Sequence, residues 1–365
     1  MRAAVISMGS VSSKWVIEAM GKYFDEVHNL DLREIEVNTV GKLEVLYKGK
    51  EIEEYDCVYV KGSFRFQPIM RAIATALHGV TYTPITPHAF TTGHDKVLTQ
   101  LELQKNSIPM PKTYLASSVD AAKKVLEKIN YPIIMKFPSG TQGKGVMFAD
   151  SFASASSMMD ALSALRQPFL IQEYVETGGV DTRAIVVGDK VVASMNRESK
   201  EGEARANIHA GGTGKPCILD AYTKKMAVEA AKVVGADVCA VDILESIKGP
   251  LIIELNLSPG LQGVTQTTKV DVADKIAKFF YQEAKKMKES GKKEGSSKIM
   301  ADLGIKQGDQ LKEIVTTLDF RGHRILLPAA VASITKFNDK EEYCIEADKG
   351  SLSIKRYCTG PEEKE

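Results

Sequence analysis

The chain has 365 residues, which is longer than a typical domain with a single hydrophobic core, so we expect two or three domains. Its composition is that of a soluble globular protein, with 44% hydrophobic and 26% charged residues, and its net charge of +1 excludes the concentrated positive field typical of nucleic-acid binding. The sequence has no run of about 18 apolar residues that could span a membrane and no signal-peptide pattern at its start. The five cysteines show neither a CxxC motif nor zinc spacing, which favours reduced thiols and a cytoplasmic location.

The first 88 residues alternate strand and helix signals. Apolar strands are predicted at Ala3–Met8 and around Val58, and helices at Ser12–Phe24 and Gln67–His78. Strands separated by helices favour a parallel sheet, so residues 1–88 are predicted to form an N-terminal α/β domain.

Two further lobes are predicted at residues 89–170 and 171–290. The predicted helices are Gly93–Lys105, Ser118–Ile129, Phe152–Leu165, Ala221–Gly235 and Val270–Lys288. The predicted strands are Thr113–Ala116, Ile133–Phe137, Val146–Ala149, Phe169–Val175, Thr182–Val187, Val191–Arg197 and two that bracket Ser246–Pro250. Mixed strands and helices throughout predict an α/β (α+β) fold.

A composition change marks the end of these lobes. Residues 291–298 are rich in Gly, Ser and charge and are predicted to be a linker. Residues 299–365 are then a small accessory unit of unknown role, in which Glu342–Ala347 and Ser351–Tyr357 are predicted to form a hairpin.

The segment from Val241 to Gly260 indicates a metal site. If its two apolar runs form an antiparallel hairpin centred on Lys248, Asp242 faces Glu254 directly and Asn256 shares their side. Two carboxylates and an amide oxygen form an all-oxygen set suited to Mg²⁺.

The alternative for these acids is an ordinary solvated strand face. In the predicted hairpin, however, Leu244 and Ile252 lie on the side of the acids, and Ile243 and Ile253 lie on the other. A strand that is apolar on both sides is buried, and two buried opposed carboxylates repel unless one is protonated or a cation lies between them. We therefore favour the metal site.

A glycine-rich loop, Ser139–Gly145, joins two apolar runs, and its glycines allow backbone N–H groups to close over phosphate oxygens. It is neither a Walker A loop nor a dinucleotide fingerprint. Lys136 ends the strand before it, where an apolar setting disfavours a lysine that holds no anion. Lys96 is less informative, because a lysine on a helix is usually solvated. Glu173 ends another apolar strand, either as a polar strand edge or as part of a linker that holds an adenine edge.

Taken in order, these pieces resemble the ATP-grasp superfamily, and within it the RimK-type glutamate ligases. The matching segments are Asp95-Lys96, Lys136 with GTQGKGV, QEYV, DTRAIVVGDKVVASMNR, RANIHAGG, VDIL and ELNLSPGLQGV. The resemblance covers roughly residues 1–288 and is tightest from Lys136 to Val264. It implies two lobes that clamp ATP, with two Mg²⁺ ions (Mn²⁺ as a substitute) bridging the phosphates.

The resemblance also implies site residues. The residues expected to hold the nucleotide are Lys96, Lys136, Gly140, Thr141, Gln142, Gly143, Gly145, Glu173, Tyr174, Asp181, Arg205, Ala206 and Asn207. Among these, Arg205 and Lys136 are expected to assist catalysis, Glu173 and Tyr174 to hold the adenine, and Asp181 to approach the ribose. The metal ligands are expected to be Asp242, Glu254 and Asn256.

The implied activity is an ATP-dependent acid–amino-acid ligation through an acyl phosphate, with L-glutamate as the incoming amino acid. The acceptor carboxylate stays open between a ribosomal protein C-terminus, a coenzyme tail and a glutamate oligomer, and homo-oligomerisation also stays open. Three alternatives remain: a ligase that adds lysine or arginine to a carrier protein, a non-catalytic ATP-binding regulatory module, and an interaction protein whose tail carries the main function. The complete metal trio argues against the regulatory module.

Overall fold

A computed structural model describes residues 1–41, 43–138, 145–166, 168–198 and 213–302, together with short segments between 319 and 356. For residue 213 and residues 291–302 only the backbone is described. Residues 139–144 of the predicted glycine-rich loop and residues 199–212 lie outside the described residues. No helix in the described part of the chain is long and apolar enough to cross a membrane.

The N-terminal region contains the predicted parallel sheet. Its strands β1 (Arg2–Ser7), β2 (Glu26–Asp31) and β6 (Cys57–Lys61) are in the order β2-β1-β6. The small antiparallel sheet beside it is formed by β3 (Ile35–Asn38), β4 (Glu44–Tyr47) and β5 (Lys50–Glu51). The helices of this region are α1 (Val11–Met20), α2 (Gln67–Leu77) and α3 (Pro87–Thr92). The carboxyl ends of β1 and β6 therefore meet at one edge, the usual ligand edge of an open α/β sheet.

A four-stranded antiparallel sheet follows helix α4 (Lys96–Lys105). Its strands are β7 (Thr113–Tyr114), β8 (Ile133–Lys136), β9 (Val146–Ala149) and β10 (Leu170–Glu173), in the order β7-β10-β8-β9. Helices α5 (Val119–Leu126) and α6 (Phe152–Ala164) pack against it and form a separate core with residues such as Met135 and Met159. This small lobe thus has its own hydrophobic interior.

The third sheet has five antiparallel strands. They are β11 (Val180–Val187), β12 (Lys190–Glu198), β13 (Thr213–Pro216), β14 (Val238–Ser246) and β15 (Gly249–Asn256), in the order β13-β12-β11-β14-β15. Helices α7 (Ala221–Val234), α8 (Gln262–Thr268) and α9 (Val272–Asp302) accompany it. Its buried residues join those of the N-terminal sheet in one continuous core, in which Phe280 of α9 meets Tyr59 of β6 edge-on at 5.0 Å.

The β14–β15 hairpin contains an irregularity that the sequence did not predict. Near the turn Ser246 pairs with Gly249 and Ile243 with Ile252, one residue out of step with the predicted register. The register shifts next to Ile253, and beyond it Asp242 pairs with Glu254 as predicted. A bulge adds one residue to one strand only, so it restores the predicted pairing at the end away from the turn.

The bulge also exchanges the two isoleucines. Ile252 is buried in the core beside Ile243, whereas Ile253 lines a cavity together with Leu244. The predicted sides of Ile252 and Ile253 were therefore wrong, because a one-residue shift moves each side chain to the other face.

Helix α9 runs past its predicted end at Lys288 to Asp302, through the segment predicted as a linker. The Lys and Glu residues of this segment are good helix formers, so its two glycines do not end the helix. The chain divides by contacts into two compact units, Met1–Gly295 and Ser296–Glu365, and this division falls within the predicted linker segment. In the second unit, β16 (Asp319–Arg321) pairs with β17 (Arg324–Leu326), and β18 (Tyr343–Asp348) pairs with β19 (Ser351–Arg356), which confirms the predicted hairpin.

Candidate functional site

A cavity of about 550 Å³ lies in the first unit, where its three main sheets approach one another. The N-terminal sheet contributes residues that follow β1 and β6, the small lobe contributes the ends of β8 and β10, and the five-stranded sheet contributes β11, β12, β14 and β15. The predicted site residues that line it are Lys96, Lys136, Glu173, Tyr174, Asp181, Asp242, Glu254 and Asn256. Residues predicted from motifs far apart in the chain thus lie on one cavity.

A network of two arginines and two aspartates forms one wall. Nε and Nη2 of Arg183 donate to the two carboxylate oxygens of Asp242 at 2.8 and 2.7 Å, and Arg197 reaches Asp242 at 2.9 Å. Arg197 also binds both oxygens of Asp181, at 2.5 and 2.7 Å. Strand pairing produces this arrangement, because Arg183 lies opposite Asp242 and Asp181 lies opposite Arg197.

This network gives its two carboxylates different protonation behaviour. Burial alone raises the pKa of Asp242, but the charges and hydrogen bonds of Arg183 and Arg197 outweigh burial and hold that pKa well below its ordinary value. Burial and the neighbouring charge of Asp242 raise the pKa of Asp181 to about 6, against the opposing effect of Arg197. Asp242 is therefore an ionised carboxylate over the physiological pH range.

Glu254 and Asn256 lie beside this wall on the next strand. The Glu254 carboxylate forms an ion pair with Lys96, with Oε1 3.6 Å from Nζ, and the Oδ1 of Asn256 accepts a hydrogen bond from the backbone N–H of Ser258 at 3.1 Å. Lys96 is the first residue of α4, which begins there because the Asp95 carboxylate caps the N–H groups of the first turn. The Lys96 side chain is only 17% exposed, so it differs from the solvated helix lysine that its pattern suggested.

Lys136 occupies the end of β8, where the sequence predicted it. Its Nζ donates to Oε1 of Gln172 at 2.6 Å, and the Gln172 amide in turn donates to Thr113 Oγ1 at 2.8 Å. Burial lowers the pKa of Lys136 to about 8; the charge of Glu254 opposes this shift and that of Lys96 adds to it. Among the described residues Lys136 forms no ion pair, which leaves its charge available to an anion in the cavity.

The predicted adenine segment lies at the junction between the small lobe and the five-stranded sheet. The N–H of Glu173 donates to the carbonyl of Lys112 at 2.9 Å, and the Glu173 carboxylate lies 3.5 Å from Lys112 Nζ. The Tyr174 ring meets Phe148 edge-on at 5.4 Å. Contacts with the small lobe thus hold this segment in place.

Most of the predicted glycine-rich loop and the predicted segment around Arg205 are not described by the structure. Gly140, Thr141, Gln142, Gly143, Arg205, Ala206 and Asn207 lie outside the described residues. Gly145, the last glycine of the loop, is described, with a φ of +78° and with the Phe137 ring packed against it. A Cβ at this position would lie 2.2 Å from the ring, so this glycine is required for both its conformation and its packing.

The cavity also contains charged residues that the sequence prediction missed, namely Lys61, Arg183 and Arg197. The two arginines had a detectable signal: Asp181 and Arg183 are two residues apart on one strand, so they share a face on which Arg197 can meet them from the next strand. In the described part of the chain, no three His, Cys, Asp or Glu side chains lie close enough together to hold a metal ion.

Relatives of known sequence share most of this chain. A protein of Thioalkalivibrio sulfidiphilus described as "Probable alpha-L-glutamate ligase" is 37% identical over 78% of this chain and 97% of its own length. A Vibrio cholerae protein with the same description is 36% identical over 80% of this chain and its own full length. The chain is thus longer than both relatives and includes nearly all of each.

Solved structures show the same fold. The ATP-grasp ligase PsnB complexed with minimal precursor, Mg and ADP has a TM-score of 0.61 at 18% identity, covering 78% of this chain and 98% of its own. A RimK domain protein ATP-grasp of Sphaerobacter thermophilus has a TM-score of 0.59 at 17% identity, covering 76% of this chain and 99% of its own. The RimK-like ATP-grasp domain model matches residues 93–280. These matches and the charged cavity lead to one assignment: the chain is an ATP-dependent ligase that belongs to the RimK-like ATP-grasp family.

Proposed function

We propose that this chain uses ATP to join the amine of L-glutamate to an acceptor carboxylate through an acyl phosphate. The observation that carries the proposal is the single cavity in which Lys96 and Lys136 meet the oxygen-bearing side chains of Asp242, Glu254 and Asn256. Phosphoryl transfer needs positive donors for the nucleotide phosphates and oxygen ligands for a divalent ion. The description of both relatives as probable alpha-L-glutamate ligases supports glutamate as the incoming amino acid.

The side chains of this cavity fit Mg²⁺. Asp242 is ionised, Glu254 is 39% exposed towards solvent, and the Asn256 amide oxygen has one hydrogen-bond partner among the described residues, so each keeps an oxygen lone pair for a ligand. We propose these three residues as the ligands of two ions, with Mn²⁺ as a substitute. When bound, the ions offset the negative charge of the transferred phosphoryl group.

In the proposed reaction an acceptor carboxylate oxygen attacks the γ-phosphorus, the bond to the β-phosphate oxygen breaks, and ADP leaves. The glutamate amine then attacks the acyl carbon; the carbon–oxygen bond to phosphate breaks, and the amine loses a proton to solvent as phosphate leaves. Lys96, Lys136 and Arg205 orient the phosphates, Glu173 and Tyr174 hold the adenine, and Asp181 lies on the ribose side. The protein thus contributes position and charge, with no covalent intermediate of its own.

The loop residues Gly140, Thr141, Gln142, Gly143 and Gly145 are proposed to cover the phosphates from the small lobe. Residues 89–170 and 171–290 would then be the two clamping lobes beside the N-terminal domain of residues 1–88. Residues 299–365 have no role in this scheme.

A phosphate-release screen tests the proposal. The full-length protein is incubated with ATP, Mg²⁺, each candidate amino acid and each acceptor: a ribosomal protein C-terminal peptide, a coenzyme with a carboxylate tail, and a glutamate oligomer. We expect phosphate release to require L-glutamate together with one acceptor, and mass spectrometry to show added glutamyl residues. Turnover with lysine or arginine in place of glutamate would reject the proposed amino acid, and absence of ATP binding would reject the whole scheme.

A further inference from the structure

Lys61 is a buried cation in the cavity that the proposed reaction does not use. It is the last residue of β6, is 6% exposed, and lines the cavity from the carboxyl edge of the N-terminal parallel sheet. Its Nζ donates to the backbone carbonyl of Pro259 at 2.5 Å. An ammonium group has three N–H donors, and in the described part of the chain this carbonyl is its one hydrogen-bond partner.

Three other cations of the cavity are already engaged by carboxylates. Arg183 and Arg197 bind Asp181 and Asp242, and Lys96 pairs with Glu254. Lys61 has no such ion pair among the described residues, and burial lowers its pKa to about 7. A buried ammonium is costly unless it is paired, so this position is suited to an anion that arrives with a ligand.

The surroundings of Lys61 connect it to the proposed metal end of the cavity. The N–H of Gly62 donates to Ser258 Oγ at 3.1 Å, and the N–H of Ser258 donates to Asn256 Oδ1 at 3.1 Å. The buried N–H of Leu261 donates to Ser12 Oγ of α1 at 2.8 Å. The segment that follows Asn256 is therefore fixed to the N-terminal sheet and brings Lys61 close to the place of phosphoryl transfer.

Lys61 and the proposed adenine segment belong to different parts of the cavity wall. The adenine segment at Glu173 and Tyr174 belongs to the small lobe, whereas Lys61 belongs to the N-terminal sheet and shares its part of the cavity wall with Ser10 and Ser63. The substrates that must lie beyond the phosphates in a carboxylate–amine ligase both carry carboxylates. A single cation among hydroxyl groups suits one such carboxylate, for which Lys offers a point charge.

We propose that Lys61, with the polar groups that follow β1 and β6, forms a subsite for a carboxylate of a substrate other than ATP. The carboxylate belongs either to the incoming amino acid or to the acceptor chain. This inference deepens the proposed function and rests on it for the identity of the two substrates. Lys61 is a specificity-determining residue in this assignment, because it holds the substrate and takes no part in bond making.

Calorimetric titration of two probes tests the subsite. L-Glutamate represents the incoming amino acid, and N-acetyl-L-glutamyl-L-glutamate, whose amine is blocked, represents the acceptor. Each is titrated into full-length wild type, Lys61→Met, Lys61→Arg and the control Lys50→Met, which removes an exposed lysine of β5. Titrations are made with and without ADP and Mg²⁺, and ADP affinity and far-UV circular dichroism are measured in parallel.

We expect Lys61→Met to weaken at least one probe tenfold or more, Lys61→Arg to restore part of the affinity, and Lys50→Met to have no effect, all with unchanged ADP binding. The probe that weakens identifies the source of the carboxylate. Equal affinity of both probes for wild type and Lys61→Met overturns the subsite, as does failure of the wild type to bind either probe. If the wild type fails to bind ADP, the proposed function fails, while the titrations without nucleotide still decide the subsite.

Discussion

Asp242 faces Glu254 across the β14–β15 ladder, but the two carboxylates differ sharply in environment. The Asp242 side chain is 6% exposed and is held by Arg183 and Arg197, whereas the Glu254 side chain is 39% exposed and has Lys96 at 3.6 Å. From the sequence alone, the two residues were predicted to be equivalent buried acids. The structure shows that Asp242 is buried within the arginine network and that Glu254 is partly open to solvent.

We therefore expect Asp242→Asn and Glu254→Gln to affect stability differently. Asp242→Asn removes the negative charge that neutralises the buried guanidinium groups of Arg183 and Arg197. Breaking a buried ion pair of this kind lowers the free energy of unfolding by about 3–5 kcal/mol. Glu254→Gln removes one half-exposed ion pair, which is worth less than about 1 kcal/mol. Urea unfolding followed by circular dichroism measures both. Both variants should lose ligase activity, and equal stability of the two would show that the arginine network does not hold the fold.

Lys136→Met should weaken nucleotide binding strongly. Lys136 lies at the end of β8 with its ammonium in the cavity, and among the described residues its hydrogen-bond partner is the neutral Gln172 amide. Loss of a charge-assisted hydrogen bond costs about 1.5–3 kcal/mol, equivalent to about a tenfold to hundredfold loss in affinity. Calorimetry with ATP and Mg²⁺ gives the affinity. Lys105→Met, which removes an exposed lysine at the other end of α4, is the matched control and should bind ATP like the wild type.

The same substitution should change the pH dependence of stability. The pKa of Lys136 is about 8 in the folded chain, against an ordinary value of 10.5 when unfolded. At pH values between these two pKa values, Lys136 is mostly neutral in the folded chain and protonated in the unfolded chain. The unfolded chain therefore binds more protons, and the stability of the wild type rises with pH relative to Lys136→Met. The whole rise is at most about 3.5 kcal/mol, because the two pKa values differ by about 2.5 and each pKa unit corresponds to about 1.4 kcal/mol. Unfolding curves at pH 7.5, 9 and 10 (chosen to span about this window) measure it, and a constant difference would exclude the lowered pKa.

The sequence predicted most of the fold and the pairing of Asp242 with Glu254, because apolar periodicity and hairpin register are local properties. It did not predict the bulge at Ile253, since the extra residue depends on packing against the core. It also missed the pairing of Arg183 with Asp242, which joins residues 59 positions apart. Lys61 gave no signal as a site residue, because only the folded chain brings β6 next to Pro259.

Gly145→Ala should destabilise the small lobe more than a glycine substitution in an ordinary turn. Gly145 and Gly49 have similar φ values of +78° and +75°, so alanine meets the same backbone penalty of about 1–2 kcal/mol at both positions. At Gly145 the new methyl group also clashes with the Phe137 ring, whereas at Gly49 nothing lies within 4 Å. The difference between the two variants in thermal unfolding therefore isolates the clash. Phe137→Leu combined with Gly145→Ala should recover part of the loss, and no recovery would assign the whole effect to the backbone.

A chain that ends at Ser290 should fold and bind ATP with Mg²⁺. The last side-chain contact between α9 and the N-terminal region is the hydrogen bond from Lys288 Nζ to Asp56 Oδ1 at 2.6 Å, within the part of α9 whose side chains are described. The cavity lining also lies entirely before this point, with Gly260 as its last residue. We therefore expect the truncated and full-length proteins to have equal ATP affinity and similar unfolding midpoints. Loss of ATP binding would show that the second unit belongs to the nucleotide site.

Comparison of the truncated and full-length proteins on several acceptors then tests the role of residues 299–365. A change in acceptor preference would assign acceptor recognition to these residues, and identical activity on every acceptor would favour a role in assembly instead.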